Sequence, residues 1–209
     1  MPKGSEQLSQ ARRNEVIRAC SELYETTNFK DISLKLVAEK TSFTRTSIYN
    51  YFQSKEEIFL AILEGEYRAW NMDLRELRDG NESLDAESFS SLFSETLEKR
   101  GRLLKIMSMN HYDLEDNVRL ERLVEFKKAY GDSLRMMSSC LKKFFPRMDD
   151  EDVEGVVYAF FPFMFGIYPY THVTPKQREA MEKADSDYVF MSIYELSRSC
   201  LLRLLGEKE

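Results

Sequence analysis

The chain has 209 residues, 30 Lys and Arg against 36 Asp and Glu, a net charge of −6, and 43% hydrophobic residues. Eight Gly, five Pro and three Cys exclude a collagen-like chain and a disulfide scaffold. No apolar run reaches the roughly 18 residues of a membrane span, and the opening MPKGSEQLSQARR has no apolar signal core. A cytoplasmic protein with no membrane partner is expected.

Leu and Met together number 33, whereas Val and Ile number 17. The first pair favours helix and the second strand. No proline separates Pro2 from Pro146, and no window sustains period-two alternation. These features predict an all-α fold of about nine helices. Cys20, Cys140 and Cys200 lack metal-ligand spacing and read as free, buried thiols. Charge is uneven. Residues 1–55 hold nine basic and six acidic residues, and the remainder is net −9. A positive head on an acidic body is compatible with a nucleic-acid-binding module.

The first predicted helix covers 7–26, with Val16, Ala19, Cys20 and Leu23 at helical spacing. Thr27-Asn28-Phe29-Lys30 breaks it. Ser33 caps a short helix to about Lys40. Thr41-Ser42-Phe43 is a tight connection, and Thr44 caps a third short helix ending near Tyr49 or Asn50. Ser54-Lys55-Glu56-Glu57 reads as a capping box, in which Glu57 reaches back to the Ser54 amide. A long helix then runs to about Arg78. Its apolar residues Phe59, Leu63, Tyr67, Trp70, Leu74 and Leu77 step by 4, 4, 3, 4 and 3.

Asp79-Gly80-Asn81 closes that helix. Further helices are expected at 86–100 and 101–109, with an acidic break at 113–117. The next covers 119–145, along the stripe Leu120, Leu123, Phe126, Tyr130, Leu134, Met137, Leu141 and Phe144. Another covers 150–168, kinked or broken at Pro162. Pro169 and Pro175 bracket a loop. The last covers 186–205, with Phe190, Ile193, Leu196, Cys200 and Leu204 as its stripe.

Two helices of about seven residues are marginal alone, because nucleation costs more than a few hydrogen bonds return. They persist only when packed across each other and against a third. Val16, Ala19, Cys20, Leu23, Leu36, Val37, Ala38, Ile48, Tyr51 and Phe52 are the candidate core. This is the plan of a helix-turn-helix, whose second short helix enters the major groove of DNA. Thr44, Arg45, Thr46 and Ser47 open that helix, and Tyr49 and Asn50 lie one turn on. Arg45 can donate two hydrogen bonds to a guanine edge. Arg13, Ser33 and Lys55 complete the candidate DNA contacts. Lys55 opposes its own helix dipole, which a nearby phosphate would explain.

Residues 33–59, SLKLVAEKTSFTRTSIYNYFQSKEEIF, resemble the TetR family of bacterial transcriptional regulators. The helix-turn-helix spans 33–52, and Tyr51-Phe52 followed by Ser54-Lys55-Glu56-Glu57-Ile58-Phe59 is similar to that family's most recognisable element. Two positions depart from it. Ser42 and Thr46 stand where the family commonly has glycine, so Ser42 is expected to strain the turn. The resemblance implies a homodimer, a palindromic double-stranded operator, and a divergent C-terminal domain that senses a small molecule.

The expected domains are 1–52 for DNA binding and 53–209 for sensing and dimerisation. Mixed Met and aromatic walls suit an apolar or aromatic effector. The candidate lining is Tyr67, Trp70, Met107, Met109, His111, Tyr130, Met137, Phe161 and Phe165. An intersubunit bundle is expected to use Val157, Phe161, Tyr168, Phe190, Ile193 and Ser197. His111 and His172 are the two histidines, and neither HExxH nor GxSxG occurs. No catalytic residue, metal site or cofactor is therefore expected. The rival reading is a helical adaptor with no DNA activity.

Overall fold

The computed structural model describes residues 3–109 and 114–206. Ten α-helices and one 3-10 turn lie among the described residues, which contain no strand. In chain order these are α1 (Lys3–Thr26), the 3-10 turn (Phe29–Asp31), α2 (Leu34–Ala38), α3 (Arg45–Ile48) and α4 (Lys55–Gly80). Then come α5 (Ala86–Glu98), α6 (Gly101–Met107), α7 (Leu120–Phe144), α8 (Asp150–Thr171), α9 (Pro175–Lys183) and α10 (Ile193–Leu205). The chain forms two compact units. One comprises residues 1–65 and 110–128, the other 66–109 and 129–209.

In the first unit, Val16, Cys20, Val37, Ile48, Phe52 and Phe59 are buried. Phe59 receives Tyr24 and Phe29 edge-on, with centroids 4.9 and 4.8 Å away. Ser33 caps α2 by accepting from the Leu36 amide at 3.2 Å. The turn before α3 is not strained as expected. Asp185 is the only non-glycine residue with positive φ among the described residues. Ser42 is instead tied to α1, its amide donating to one Glu15 oxygen and its hydroxyl to the other. Those two donors hold the Glu15 carboxyl below its ordinary pKa. A glycine would supply only the amide.

The second unit buries the predicted α4 stripe from Tyr67 to Leu77. Helix α10 packs on α5 and α8, and α6 packs on α8. Trp70 Nε1 donates to Thr96 Oγ1 at 2.9 Å, so the indole is fully buried with its polar atom satisfied. Cys20 and Cys140 are buried and Cys200 half-buried, all as free thiols. Burial pushes the Cys20 thiol up to about 12 and that of Cys140 to about 11, so both stay protonated and inert.

Three predicted boundaries move. Helix α8 runs through both Pro162 and Pro169 to Thr171, whose hydroxyl donates to the Ile167 and Tyr168 carbonyls and supplies hydrogen bonds to the last turn. The expected 169–175 loop therefore shrinks, and an unforeseen helix, α9, starts at Pro175. Thr174 and Gln177 form its capping box, with proline at the first turn. The last helix begins at Ile193 rather than near 186, because Ser192 and Glu195 form a second capping box. Phe190 consequently lies outside the helix. Ser192→Ala should lower stability by about 1 kcal/mol, the usual cost of a lost cap. The reading is a lower urea midpoint with unchanged slope, and an unmoved midpoint would deny the cap that role.

Candidate nucleic-acid interface and effector unit

Helix α3 is anchored by one buried side chain, Ile48, and turns the others outward. Thr44, Arg45, Thr46, Tyr49 and Asn50 are exposed, and Ser47 is half-buried. Thr44 sits at the extended N-cap, but its hydroxyl meets Ser47 Oγ at 3.2 Å rather than a backbone amide. Arg45 donates to the Tyr49 hydroxyl at 3.0 Å, and its guanidinium lies 5.7 Å from that ring. The contact steadies two long side chains on an exposed face. A planar fork of donors beside an aromatic hydroxyl can make base-edge and phosphate hydrogen bonds.

The other three candidates have duties inside the head. Ser33 spends its hydroxyl on the α2 cap. Arg13 is half-buried, with its guanidinium 5.4 Å from the Phe52 ring. Lys55 already has partners within the head. Its ammonium donates to the Phe29 and Ile32 carbonyls at 2.8 and 3.1 Å and lies 4.3 Å from the Phe29 ring. The cation opposed to the dipole of α4 thus closes the 3-10 turn.

Sequence reasoning missed the tightest polar cluster of this unit. Ser54 does accept from the Glu57 amide at 3.2 Å, but Glu57 accepts from the Gln53 amide, not that of Ser54. Its buried carboxylate also takes Arg119 Nε at 2.6 Å, Arg119 Nη2 at 2.7 Å and the Arg119 amide at 3.2 Å. Arg119 Nη2 reaches the Tyr51 carbonyl, and Ser54 Oγ donates to the Asn117 carbonyl at 2.8 Å. Burial raises the Glu57 carboxyl pKa, but the Arg119 and Gln53 donors outweigh it and leave it below the ordinary value. Only a capping motif hints at this in the sequence, since the partners stand 62 positions apart.

In the second unit, the predicted effector residues largely assemble. Tyr67 and Tyr130 meet edge-to-face at 5.7 Å, Tyr130 and Phe161 at 5.6 Å, and Trp70 lies 5.9 Å from Phe161. The Tyr67 hydroxyl donates to Met107 Sδ at 3.4 Å. Met137 is buried, whereas Met109, Tyr130 and Phe165 are half-buried. His111 lies outside the described residues. Among the described residues, open grooves of about 520 Å³ lie beside Leu134, Val153 and Tyr158 and of about 460 Å³ beside Asn71, Arg75 and Arg135.

The residues expected at a dimer interface divide in two. Val157, Phe161, Ile193 and Ser197 are covered by their own unit, and the Ser197 hydroxyl donates to the Ile193 carbonyl at 2.7 Å. Tyr168 is half-buried and stacks on His172 at 4.1 Å. Phe190 is exposed, as are Tyr158 and Tyr170. Among the described residues, no group of three His, Cys, Asp or Glu could hold a metal, and no helix is long and apolar enough to cross a membrane.

A short helix pair with an outward polar second member, on a chain with a separate all-helical unit, defines a helix-turn-helix transcriptional regulator that binds DNA. Residues 16–62 match the family model described as bacterial regulatory proteins, tetR family. Residues 64–205 match the Tetracyclin repressor-like C-terminal domain. The chain belongs to the TetR family, a family of transcriptional regulators rather than enzymes. Comparison with curated proteins gives no match.

Solved structures share the fold. A TetR/AcrR-family regulator from Thermobifida fusca is 21% identical over 95% of this chain and 99% of its own, with a TM-score of 0.62. FadR from Bacillus subtilis, in complex with stearoyl-CoA, is 15% identical over 92% and 97%, with a TM-score of 0.60. FadR from Thermus thermophilus, in complex with lauroyl-CoA, is 20% identical over 94% of each chain, with a TM-score of 0.59.

Proposed function

We propose that the protein is a ligand-responsive repressor that binds a palindromic operator as a homodimer. Residues 1–52 read the DNA, and residues 53–209 sense the effector and dimerise. The exposed face of α3 carries this reading: Arg45, Thr46, Tyr49 and Asn50 point outward while Ile48 alone is buried. Arg45 reads a base edge, and Thr44 and Ser47 contact phosphate. Two heads on a palindrome must stand about one helical turn apart or a multiple of it, so a few ångströms of displacement breaks register.

The effector is an apolar or aromatic small molecule that competes for the cluster around Tyr67, Trp70 and Phe161. The acyl-CoA ligands of the two similar FadR structures support an apolar portion. Helix α4 begins at Lys55 in the head unit and carries Tyr67 and Trp70 further along, so displacing those rings acts on the helix that leaves the head. The effector's leverage is its differential affinity for the two states, about 1–3 kcal/mol in ordinary allosteric coupling.

A gel-shift assay on the DNA upstream of the protein's own gene tests the reading. Wild type should shift it, with log affinity falling linearly against log salt. Arg45→Ala with Tyr49→Ala should weaken binding at least about tenfold, since a bidentate base contact is worth about 1–3 kcal/mol. A wild-type protein that shifts no such DNA even at low salt would overturn the repressor reading.

A further inference from the structure

The groove of about 460 Å³ in the second unit has an unusual lining for an acidic chain. Helix α4 supplies Arg68, Asn71, Met72, Arg75 and Arg78, and α7 supplies Asp132, Arg135, Met136 and Ser139. On α4, positions 68, 71, 72, 75 and 78 recur at helical spacing, on a face flanking the stripe of buried Tyr67, Trp70, Leu74 and Leu77. On α7, positions 132, 135, 136 and 139 do the same. Four arginines and Asp132 thus line the groove, with Asp79 a second carboxylate beside Arg78, within a segment, 56–209, of net charge −9.

Some of these guanidiniums are held in place. Arg78 Nε donates to Asp79 at 2.8 Å and Nη1 to Ser139 Oγ at 2.9 Å. Arg135 donates to Asp132 at 2.5 Å. Arg75 is exposed and close enough to lower the Asp79 carboxyl pKa, yet makes no hydrogen bond or ion pair of its own among the described residues. Asn71 adds a second feature: its side-chain oxygen is buried in the groove wall without a hydrogen-bond partner. A buried acceptor left unpaired costs about 1–3 kcal/mol, so turning the Asn71 amide out to meet a ligand donor in the groove would relieve that cost.

We propose that this groove binds a small organic diphosphate of the nucleoside diphosphate type. Two phosphates would take the free fork of Arg75 and the donors that Arg78 and Arg135 leave uncommitted, Arg78 Nη2 among them. A hydroxyl or amine of the organic part would donate to Asn71, while Met72 and Met136 cover its apolar face. The volume suits a ligand of that size, within the range of about 300–1,000 Å³ common for small-molecule sites. The proposal does not depend on the repressor reading, because it concerns binding to the unliganded full chain without DNA.

Calorimetric titration with inorganic pyrophosphate and with ADP tests it. Both should bind the wild type, ADP more tightly. Arg75→Glu with Arg135→Glu should weaken both at least tenfold, while the equally acidic Arg147→Glu with Lys176→Glu, on exposed positions elsewhere, should leave them unchanged. Asn71→Leu should bring the ADP affinity down to that of pyrophosphate and leave pyrophosphate alone. Circular dichroism verifies that each variant is folded. Absence of heat with both probes, or equal weakening by the two charge-reversal pairs, overturns the site. ADP binding no tighter than pyrophosphate overturns its organic part.

Discussion

Replacing Arg119 by Ala should destabilise the protein by about 3 kcal/mol, the low end of the cost of orphaning a buried charge. The Glu57 carboxylate is covered, and Arg119 supplies three of its four hydrogen bonds. The amide of residue 119 survives the substitution, as does that of Gln53, so two donors remain. The Arg119 side chain is itself 38% exposed, so water can enter where the guanidinium leaves, and this keeps the loss from the upper end of the range. Glu57→Gln should cost less. It leaves a cation that can turn to solvent, whereas Arg119→Ala leaves an anion that cannot. Urea unfolding of both variants gives the order directly, and a costlier Glu57→Gln would refute this account of the pair.

The pair also sets a pH dependence. Glu57 has a folded pKa below its unfolded one. Its contribution is complete above the unfolded value, about 4.3, and is lost as pH falls through the lower folded value. In Arg119→Ala the carboxyl pKa moves up from that lowered value, because burial is then opposed by two backbone amides alone. The deficit relative to wild type should therefore shrink as pH falls from 7 towards about 4, where the orphaned carboxyl gains a proton. A constant deficit across that range would mean the guanidinium matters for packing alone.

Helical period made much of this fold legible in the sequence, and chain distance hid the rest. The α4 stripe is buried from Phe59 to Leu77 because residues three and four apart share one helix face whatever the partner. Local capping is legible too, at Ser33 and in the capping-box residues Thr174 with Gln177 and Ser192 with Glu195. Phe190 falls in register with the last stripe and so masks the cap at Ser192. The carbonyl partners of Lys55 and the arginine partner of Glu57 lie 23 to 62 positions away and leave no periodic trace. At Lys55 the charge opposed to the helix dipole has two turn carbonyls as partners, which the dipole argument alone does not reveal. The Arg45–Tyr49 contact, by contrast, is an exposed i, i+4 pair that needs only its own helix and the turn that follows it. The groove of arginines is not legible in this way, because its walls come from helices about sixty positions apart.

Trp70→Ala should be the costliest single truncation in the second unit, at about 3–5 kcal/mol. The side chain is fully buried, with Phe93 edge-on at 5.7 Å and Phe161 at 5.9 Å. Removing it deletes those ring contacts and leaves a cavity that rigid neighbours on α5 and α8 cannot collapse to fill. Trp70→Phe should cost far less. It keeps an aromatic ring and loses only the indole donor, and Thr96 is not stranded because its hydroxyl still donates to the Phe93 carbonyl at 2.7 Å. If the effector enters among these rings, the two substitutions must also part in function. Trp70→Phe should bind operator as wild type does but respond differently to effector, since one wall of the cluster changes shape while the head is untouched. Unfolding midpoints together with gel shifts at rising effector concentration measure both effects. An effector response identical to wild type in Trp70→Phe would remove Trp70 from the sensing surface and leave it as core.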